Sequence, residues 1–256
     1  MLNRIFKLTL VACLGSGTLW AANDPFVGDW KLNPSRSKLT DVMKVASAGA
    51  NKYAFNFGGG PETIVVDGTD QPGGFGTTLS VAAEGPDAWK VIRKKDGRML
   101  ISATWNLSQD GSTLTDHYTG FNPDGSTSKL DYVYKRKAEG SGFEGEWVST
   151  SETVNAVVVM QIRPYEEDGL SFINPQSTRN VKLDGKDYPD SGPNAPPGAT
   201  SSLRRVNERT LEKTYKVNGK LLYTQQLELS ADSNTLTTTT RIEGESETKI
   251  TVFERQ

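Results

Sequence analysis

The chain has 256 residues, with 29 basic and 31 acidic side chains and a formal net charge of −2. A slightly acidic chain of this kind lacks the positive charge expected of a protein that binds nucleic acid or an anionic membrane surface. It contains one histidine and one cysteine, too few of the usual ligands for a zinc site, and we predict neither a metal nor a cofactor.

The first 22 residues have the pattern of a secretory signal peptide. Arg4 and Lys7 give a positive start, residues 8–19 are mostly apolar, and Ala21-Ala22 offers a small-residue cleavage site. The run is too short for a membrane anchor. Residues 10–13 end in Cys13 and offer an alternative, a lipid-anchored lipoprotein, although the apolar stretch before the cysteine is short. We therefore predict a periplasmic or secreted bacterial protein without an integral membrane segment.

The remaining sequence is a tandem repeat. Residues 26–30 (Phe-Val-Gly-Asp-Trp) return as residues 143–147 (Phe-Glu-Gly-Glu-Trp), and the correspondence continues to the end of both copies, shifting only at turn-rich stretches. We predict a first domain at 23–138, a flexible linker at 139–142 and a second domain at 143–256.

Both copies have the pattern of β-strands. Residues 99–107 alternate between apolar and polar side chains, and Asp96-Gly97 and Asn218-Gly219 are hairpin-turn dipeptides at equivalent positions. Residues 39–46 have helical spacing, but their counterparts lie in the Val-rich run 156–162, which favours a strand in both copies. Eight or nine short strands per copy suggest a sandwich or a closed barrel.

Two residues at the start of each copy and one at its end resemble a family signature. Gly28, Trp30 and Arg136 are repeated as Gly145, Trp147 and Arg255, and the pattern resembles that of the lipocalin-like (calycin) β-barrels. Residues 26–34 are also similar to secreted bacterial proteins described as lipocalin-like. The resemblance implies an all-β fold of two tandem antiparallel up-and-down β-barrels with eight to nine strands each.

The same resemblance implies that each tryptophan lies at the closed end of its barrel under an arginine. An indole buries a large apolar area there, and a guanidinium stacks well on its face. We expect Trp30 to pair with Arg136, and Trp147 with Arg255.

Other polar motifs favour structural roles. His117 alternates with Asp116 and Tyr118 on a strand, so it faces away from both, and we expect it on the surface. The repeated acidic motifs at 67–70 and 184–187 lack the full spacing of a calcium loop and are predicted as turns. No nucleophile–base pair can be assembled, and we predict no catalytic residue.

One strand face of the first copy predicts a ligand site. Inward-facing apolar and aromatic side chains favour a small apolar ligand, and the candidate contacts are Met99, Ile101, Trp105 and Tyr118. The second copy has Tyr223 and Gln225 on the equivalent face, so its barrel is either structural or binds something more polar. The longer loop at 190–200 is either a lid or a neutral insertion.

These observations lead to three functional expectations. The first is a secreted or periplasmic lipocalin-like protein that binds small, largely apolar molecules without catalysis. The second is a module that binds another protein of the envelope or extracellular space, in which two domains give bivalent contact. The third is an isomerase or hydratase, which a buried carboxylate facing a tyrosine across a pocket would favour.

Overall fold

The structure, a computed structural model, describes residues 23–38, 41–154, 158–175, 177–245 and 247–256. The predicted signal segment, with Cys13, lies outside the described residues. Within the described ranges, no helix has the length and apolar character needed to span a membrane.

The described residues form twenty β-strands, which pair in antiparallel fashion. In chain order they are β1 (Gly28–Leu32), β2 (Val42–Gly49), β3 (Lys52–Asn56), β4 (Pro61–Val65), β5 (Gln71–Pro72), β6 (Thr78–Gly85), β7 (Ala88–Lys95), β8 (Arg98–Leu107), β9 (Thr113–Phe121), β10 (Thr127–Arg136), β11 (Gly145–Val154), β12 (Val159–Tyr165), β13 (Gly169–Asn174), β14 (Ser177–Lys182), β15 (Tyr188–Pro189), β16 (Ala199–Asn207), β17 (Thr210–Val217), β18 (Lys220–Leu229), β19 (Thr235–Ile242) and β20 (Thr248–Arg255).

The strands make two nearly closed antiparallel barrels, which confirms the predicted fold class. Each barrel has ten strands rather than eight or nine. The difference comes from short strands such as β5 and β15, which have two residues each and are too short to show an alternating pattern. The strand prediction for both copies of the ambiguous segment is confirmed from residue 42 in β2 and from residue 159 in β12, while residues 39–40 and 156–157 lie outside the described residues.

The predicted hairpin turns are present between the expected strands. Asp96 and Gly97 join β7 to β8 with φ of 51° and 75°, and Asn218 and Gly219 join β17 to β18 with φ of 50° and 77°. Two successive positive φ values are typical of the tight turn that matches strand twist, which explains the Asp-Gly and Asn-Gly choices.

Side-chain and loop hydrogen bonds help to close each barrel between the two end strands of its sheet, β4 and β5 in barrel 1 and β14 and β15 in barrel 2. In one barrel the Gln71 side chain makes the two hydrogen bonds that a neighbouring strand would make: its Oε1 accepts from Val65 N and its Nε2 donates to Val65 O, both at 2.8 Å. In the other, Gly185 N donates to Leu203 O at 2.9 Å. These bonds satisfy backbone groups that an open edge would leave unpaired.

The two repeats exchange their first strands. The sheet of barrel 1 runs β4-β3-β2-β11-β10-β9-β8-β7-β6-β5, and that of barrel 2 runs β14-β13-β12-β1-β20-β19-β18-β17-β16-β15. Strand β1 of the first repeat lies between β12 and β20, whereas β11 of the second repeat lies between β2 and β10. The predicted contiguous barrels at 23–138 and 143–256 therefore need correction in their first strands.

The predicted linker also has a different role. Residues 139–142 connect β10 to β11, which are neighbours in barrel 1 with Arg136 paired to Trp147. The segment is thus a connection within one barrel. The described passage from barrel 2 to barrel 1 is the segment after β1, where Lys38 forms a bridge with Ile250 of β20 before the chain enters β2.

Candidate functional site

Each barrel is closed at one end, its floor, by the predicted tryptophan and arginine. Trp30 and Trp147 are fully buried, and each indole Nε1 donates to a backbone carbonyl, of Phe26 and Phe143 respectively, at 2.9 Å. The burial predicted for both rings is confirmed.

The predicted partners of the two rings are wrong. The guanidinium of Arg255 lies 4.2 Å from the centre of the Trp30 ring, and that of Arg136 lies 4.3 Å from the centre of the Trp147 ring. The cause is the strand exchange, which carries each tryptophan into the barrel that ends with the other copy's arginine. Each barrel still has a tryptophan under an arginine at its floor, because the two copies carry equivalent rings and cations.

The glycine of the floor motif makes room for the arginine. Gly28 has φ of 157°, and a Cβ built there would lie 2.5 Å from Nη1 of Arg255; at Gly145 the equivalent distance to Arg136 is 3.1 Å. A side chain at Gly28 would force the guanidinium to move and one at Gly145 would crowd it, so glycine at this position favours the cation–π contact.

Aromatic rings fill barrel 1 from its floor upward. Phe143 stacks on Trp89 with ring centres 4.0 Å apart, and Trp89 packs against Phe55 at 5.9 Å and Trp105 at 6.4 Å. Above them, at the open end or mouth, Phe57 lies 6.1 Å from Trp105 and is 40% exposed. The apolar wall predicted for this barrel is therefore extended by rings from strands β3 and β7.

A carboxylate lies in this aromatic interior. Asp116 on β9 is buried, and its cross-strand neighbours are Trp105 on β8 and Tyr132 on β10. Burial raises the pKa of Asp116 to about 7, although the nearby Trp105 N–H opposes the rise. The geometry between them falls short of a hydrogen bond, and neither Asp116 Oδ1 nor Trp105 Nε1 has a partner among the described residues.

Tyrosines surround this carboxylate on the same side of the sheet. Tyr118 follows Asp116 on the inward face, and burial together with the Asp116 charge raises the pKa of Tyr118. Tyr134 is buried and its hydroxyl donates to Oδ2 of Asp41 at 3.2 Å. Burial and the Asp41 charge raise the pKa of Tyr134 well above its usual range. We call Trp105, Asp116, Tyr118 and Tyr132 the Asp116 cluster.

A buried ion pair borders the Asp116 cluster at the mouth. Arg93 Nη2 lies 2.9 Å from Glu62 Oε1, with both side chains mostly buried. The Arg93 guanidinium also lies 5.6 Å from the centre of the Phe57 ring. Barrel 1 thus combines aromatic surface with fixed polar groups, and its interior is less apolar than the sequence predicted.

The predicted contact residues occupy different positions. Trp105 is in the buried core of barrel 1, and Ile101 packs against that core. Tyr118 is half-buried beside Asp116. Met99 is also half-buried, but lies outside the core cluster near the start of β8. Their role as ligand contacts stays a prediction.

His117 and the two acidic motifs lie where the sequence predicted them. His117 is exposed, and its Nδ1 lies 2.7 Å from Oδ1 of Asp131 on the outer face. Asp67 Oδ1 accepts from Thr69 N at 2.9 Å, and Asp184 Oδ1 accepts from Lys186 N at 3.0 Å, as expected of turns. In the described part of the chain, no three histidine, cysteine, aspartate or glutamate side chains group as metal ligands.

Barrel 2 has a different set of buried charges. Lys213 on β17 is buried, and Arg179 Nε on β14 donates to Asp190 Oδ2 at 2.7 Å. Burial and the nearby Arg179 charge lower the pKa of Lys213 to about 7, while Asp190 opposes the shift. The equivalent residue of Lys213 in the first repeat is Val91, so this charge is specific to barrel 2.

The long loop at 190–200 joins the two barrels. Lys95 Nζ of the β7–β8 turn donates to Ala195 O at 2.9 Å, and Arg98 Nη2 donates to Asn194 Oδ1 at 2.5 Å. The loop is therefore an inter-barrel contact. Nearby, a cleft of about 250 Å³ lies between the β3–β4 turn of barrel 1 and the β17–β18 and β19–β20 turns of barrel 2.

Sequence reasoning missed both buried charges. Asp116 had a detectable signal, because the alternation that places His117 outside places its neighbours inside. Lys213 also lies between Leu211 and Tyr215 on an alternating strand. Its lack of a partner could not be foreseen, because it depends on distances to β14 and to residue 190.

Comparison with known proteins does not assign the chain to a family. No model of a known protein family matches the sequence. No significant similarity to a curated protein is found either.

Proposed function

We propose that the chain is a lipocalin-like binding protein of the periplasm or extracellular space, which holds a small, largely apolar ligand in the Asp116 cluster without catalysis. The observation that carries the proposal is the pair of buried, unpartnered polar atoms, Trp105 Nε1 and Asp116 Oδ1, inside an aromatic wall. Buried polar groups are nearly always paired in native proteins, and a polar group of a ligand would give both atoms the partner that they lack.

The two orphaned atoms define the polar part of that ligand. A hydroxyl group can accept a hydrogen bond from the Trp105 N–H and donate one to the Asp116 carboxylate. The rings of Phe57, Trp105 and Tyr132 supply apolar surface for the rest of the molecule. An apolar alcohol is therefore the ligand class that matches these contacts.

The family and the location rest on separate observations. The repeated Gly-x-Trp and arginine at the two barrel floors support the lipocalin-like assignment, and the positive, apolar N-terminal segment supports export. Four large apolar side chains of the described residues are exposed: Phe57, Phe75, Val158 and Val206. Two of them, Phe57 and Phe75, lie beside the same glycine-rich turn at the barrel 1 mouth.

The test is ligand binding by variants that remove one orphaned atom at a time. Protein purified from its own host is analysed by native mass spectrometry, and binding of a long-chain alcohol is then followed by tryptophan fluorescence. Trp105→Phe and Asp116→Asn should each weaken binding about five- to tenfold, because each removes one hydrogen bond to the ligand.

The matched control is Asp131→Asn, which removes a carboxylate from the outer face of the same barrel. It should bind the alcohol as the wild type does. Equal binding by all four proteins, or no bound molecule and no alcohol binding at all, would contradict the proposal.

A second candidate function is catalytic and rests on Asp116. A carboxyl group whose pKa is about 7 can both give and take a proton at neutral pH, and Tyr118 lies on the same strand face as a second proton donor. If the protein is an isomerase or hydratase, incubating it with an extract of its host should deplete one metabolite. Asp116→Asn should abolish that turnover while the variant remains folded, whereas a binding protein leaves the extract unchanged.

A further inference from the structure

We propose that the cleft between the two barrels is a binding site for a small primary aliphatic amine in its ammonium form. The cleft lies between turns of the two barrels, and none of the residues of the Asp116 cluster lines it. Its central group is the carboxylate of Glu245, at the β19–β20 turn, and we call the site the Glu245 cleft.

The Glu245 cleft has room for a small ligand. Its volume is about 250 Å³, below the roughly 300–1,000 Å³ of pockets that hold drug-sized molecules. Part of the wall is apolar and is formed by the side chains of Val42, Pro61, Leu221 and Leu222. A short alkyl chain that lies against these side chains is removed from water, which favours its binding.

One carboxylate on the wall of the cleft has no cation of its own. The Glu245 side chain is half-buried and makes no hydrogen bond or ion pair with the described residues. The two nearby lysines are each paired with another carboxylate: Lys44 Nζ lies 3.1 Å from Glu146 Oε2, and Lys249 Nζ lies 3.5 Å from Asp41 Oδ1. An ammonium ion from outside would give Glu245 the partner that it lacks.

The electrostatic environment of Glu245 favours a monocation. Burial and the neighbouring Asp41 charge raise the pKa of Glu245, although two lysines oppose the rise. Because water screens a half-buried carboxylate less than an exposed one, the attraction of a cation is stronger here than at the open surface. The exposed rim adds no net charge, since Lys220 and Glu243 carry opposite signs.

The β3–β4 turn supplies further hydrogen-bond acceptors. Gly58 N and Gly60 N donate to Asn56 Oδ1 at 2.9 Å and 3.2 Å, which fixes the turn. The carbonyl oxygens of Gly58 and Gly59, which line the cleft, accept no hydrogen bond from the described residues. Glu245 Oε1 is close by, at 3.2 Å from a Cβ built on Gly58. A primary ammonium has three N–H donors, which match one carboxylate and two carbonyls in number.

The experiment compares two cations with the same alkyl chain on the full protein at physiological ionic strength. Butylammonium and butyltrimethylammonium are titrated into ¹⁵N-labelled protein, and the amide signals of Gly58, Gly59 and Gly244 are followed by NMR. Butylammonium should shift these signals to a saturating value. Butyltrimethylammonium should bind about tenfold more weakly or less, because it has the charge without the N–H donors.

The decisive variant is Glu245→Gln, which keeps the size of the side chain and removes its charge. It should weaken butylammonium binding by about tenfold or more, and it should remain folded, because the charge that it removes has no partner among the described residues. The matched control is Glu247→Gln. Glu247 lies outside the cleft lining, with Lys38 Nζ at 3.5 Å from its Oε2, and this variant should bind butylammonium as the wild type does.

Asp116→Asn keeps this site separate from the one proposed in barrel 1. It should bind butylammonium with wild-type affinity, so either proposal can fail while the other holds. The Glu245 cleft would be overturned by the absence of a saturating shift in the wild type, or by equal binding to the wild type and Glu245→Gln. Unfolding of Glu245→Gln would also overturn it, since the carboxylate would then be a structural contact between the barrels.

Discussion

At the scale of single residues, the most informative feature is the placement of charges inside the two barrels. Barrel 1 holds Asp116, and barrel 2 holds Lys213. Burial without an ion pair shifts the pKa of each towards neutrality, that of Asp116 upward and that of Lys213 downward. Both residues therefore reduce the stability of the protein near pH 7.

The first prediction follows from the raised pKa of Asp116. The native protein keeps the proton of this carboxyl up to about pH 7, whereas the unfolded chain loses it near the ordinary aspartate pKa of 3.8. Between these values the native state binds more protons, so the free energy of unfolding contributed by Asp116 falls as the pH rises, by at most about 1.4 kcal/mol per pH unit.

Asp116→Asn removes this dependence. Urea unfolding should show the variant to be more stable than the wild type at pH 8, and the difference should shrink as the pH falls towards 4. Asp131→Asn, on the outer face, serves as the control and should show no such gain. A stability gain that is the same at both pH values would contradict the assigned pKa.

The second prediction concerns the floor tryptophans. Trp30→Ala leaves a large cavity in a fully buried position and should lower the free energy of unfolding by about 3–5 kcal/mol. Because Trp30 lies in barrel 2, hydrogen exchange measured by mass spectrometry should speed up mainly in β12–β20.

Trp147→Ala is the matched control for this experiment. It should give a loss of similar size, with faster exchange mainly in β2–β10. If Trp30→Ala instead affected the first repeat, the pairing of Trp30 with Arg255 would be wrong.

At the scale of elements, the exchanged strands β1 and β11 determine how each barrel is completed. β1 supplies the Trp30 ring and the strand between β12 and β20. Without it, two neighbouring strands would each expose an unpaired backbone edge, and the core of barrel 2 would lose its floor. A short segment of the first repeat is thus required for the fold of the second.

The third prediction tests this dependence directly. A chain that lacks residues 23–38 should keep slow hydrogen exchange in barrel 1 and lose it in barrel 2. A synthetic peptide of residues 23–38 should restore it, because an added strand recovers the missing hydrogen bonds. A peptide of the same composition in scrambled order should have no effect. Loss of protection in barrel 1 alone would contradict the exchange.

The sequence could predict the strands but not the exchange. Alternation on β8, the Asp-Gly and Asn-Gly turns and the paired Gly-x-Trp motifs all correspond to local geometry that a few neighbouring residues specify. Neighbouring residues do not determine whether Arg136 or Arg255 becomes the partner of Trp30. Both copies present the same ring, glycine and arginine, so either first strand is complementary to either barrel.

The candidate site was predictable to a similar extent. Trp105 and Ile101 followed from the alternation of β8, and the inward position of Asp116 could have followed from that of Tyr118. The lack of a hydrogen-bond partner for Trp105 Nε1 could not be predicted, because it depends on the distance between two strands to a fraction of an ångström. The same holds for Lys213, whose lack of a counter-charge is a property of the whole barrel.

At the scale of the whole molecule, the two barrels are bound to each other by more than a covalent connection. Each contains a strand from the other repeat, and the loop at 190–200 adds hydrogen bonds from Lys95 and Arg98. Separating the two repeats would therefore break four strand pairings and uncover two tryptophans, and the barrels themselves are joined by two chain connections, after β1 and after β11. Their relative motion should be restricted, in contrast to domains on a flexible linker.

The fourth prediction uses the β10–β11 connection. A protease site placed between Ala138 and Glu139 should be cleaved without separation of the two fragments, which should elute together in gel filtration under native conditions. In denaturant they should elute apart. Fragments that separate without denaturant would show that the exchanged strands do not hold the two repeats together.

The position of this connection has a consequence for the origin of the molecule. Arg136 closes one repeat, and Trp147, near the start of the next, is its neighbour in the same sheet. Two identical single-repeat chains that traded their first strands would therefore place the end of one chain beside the beginning of the other. Duplication and fusion of the gene for such a homodimer would need only a few added residues and no change of fold.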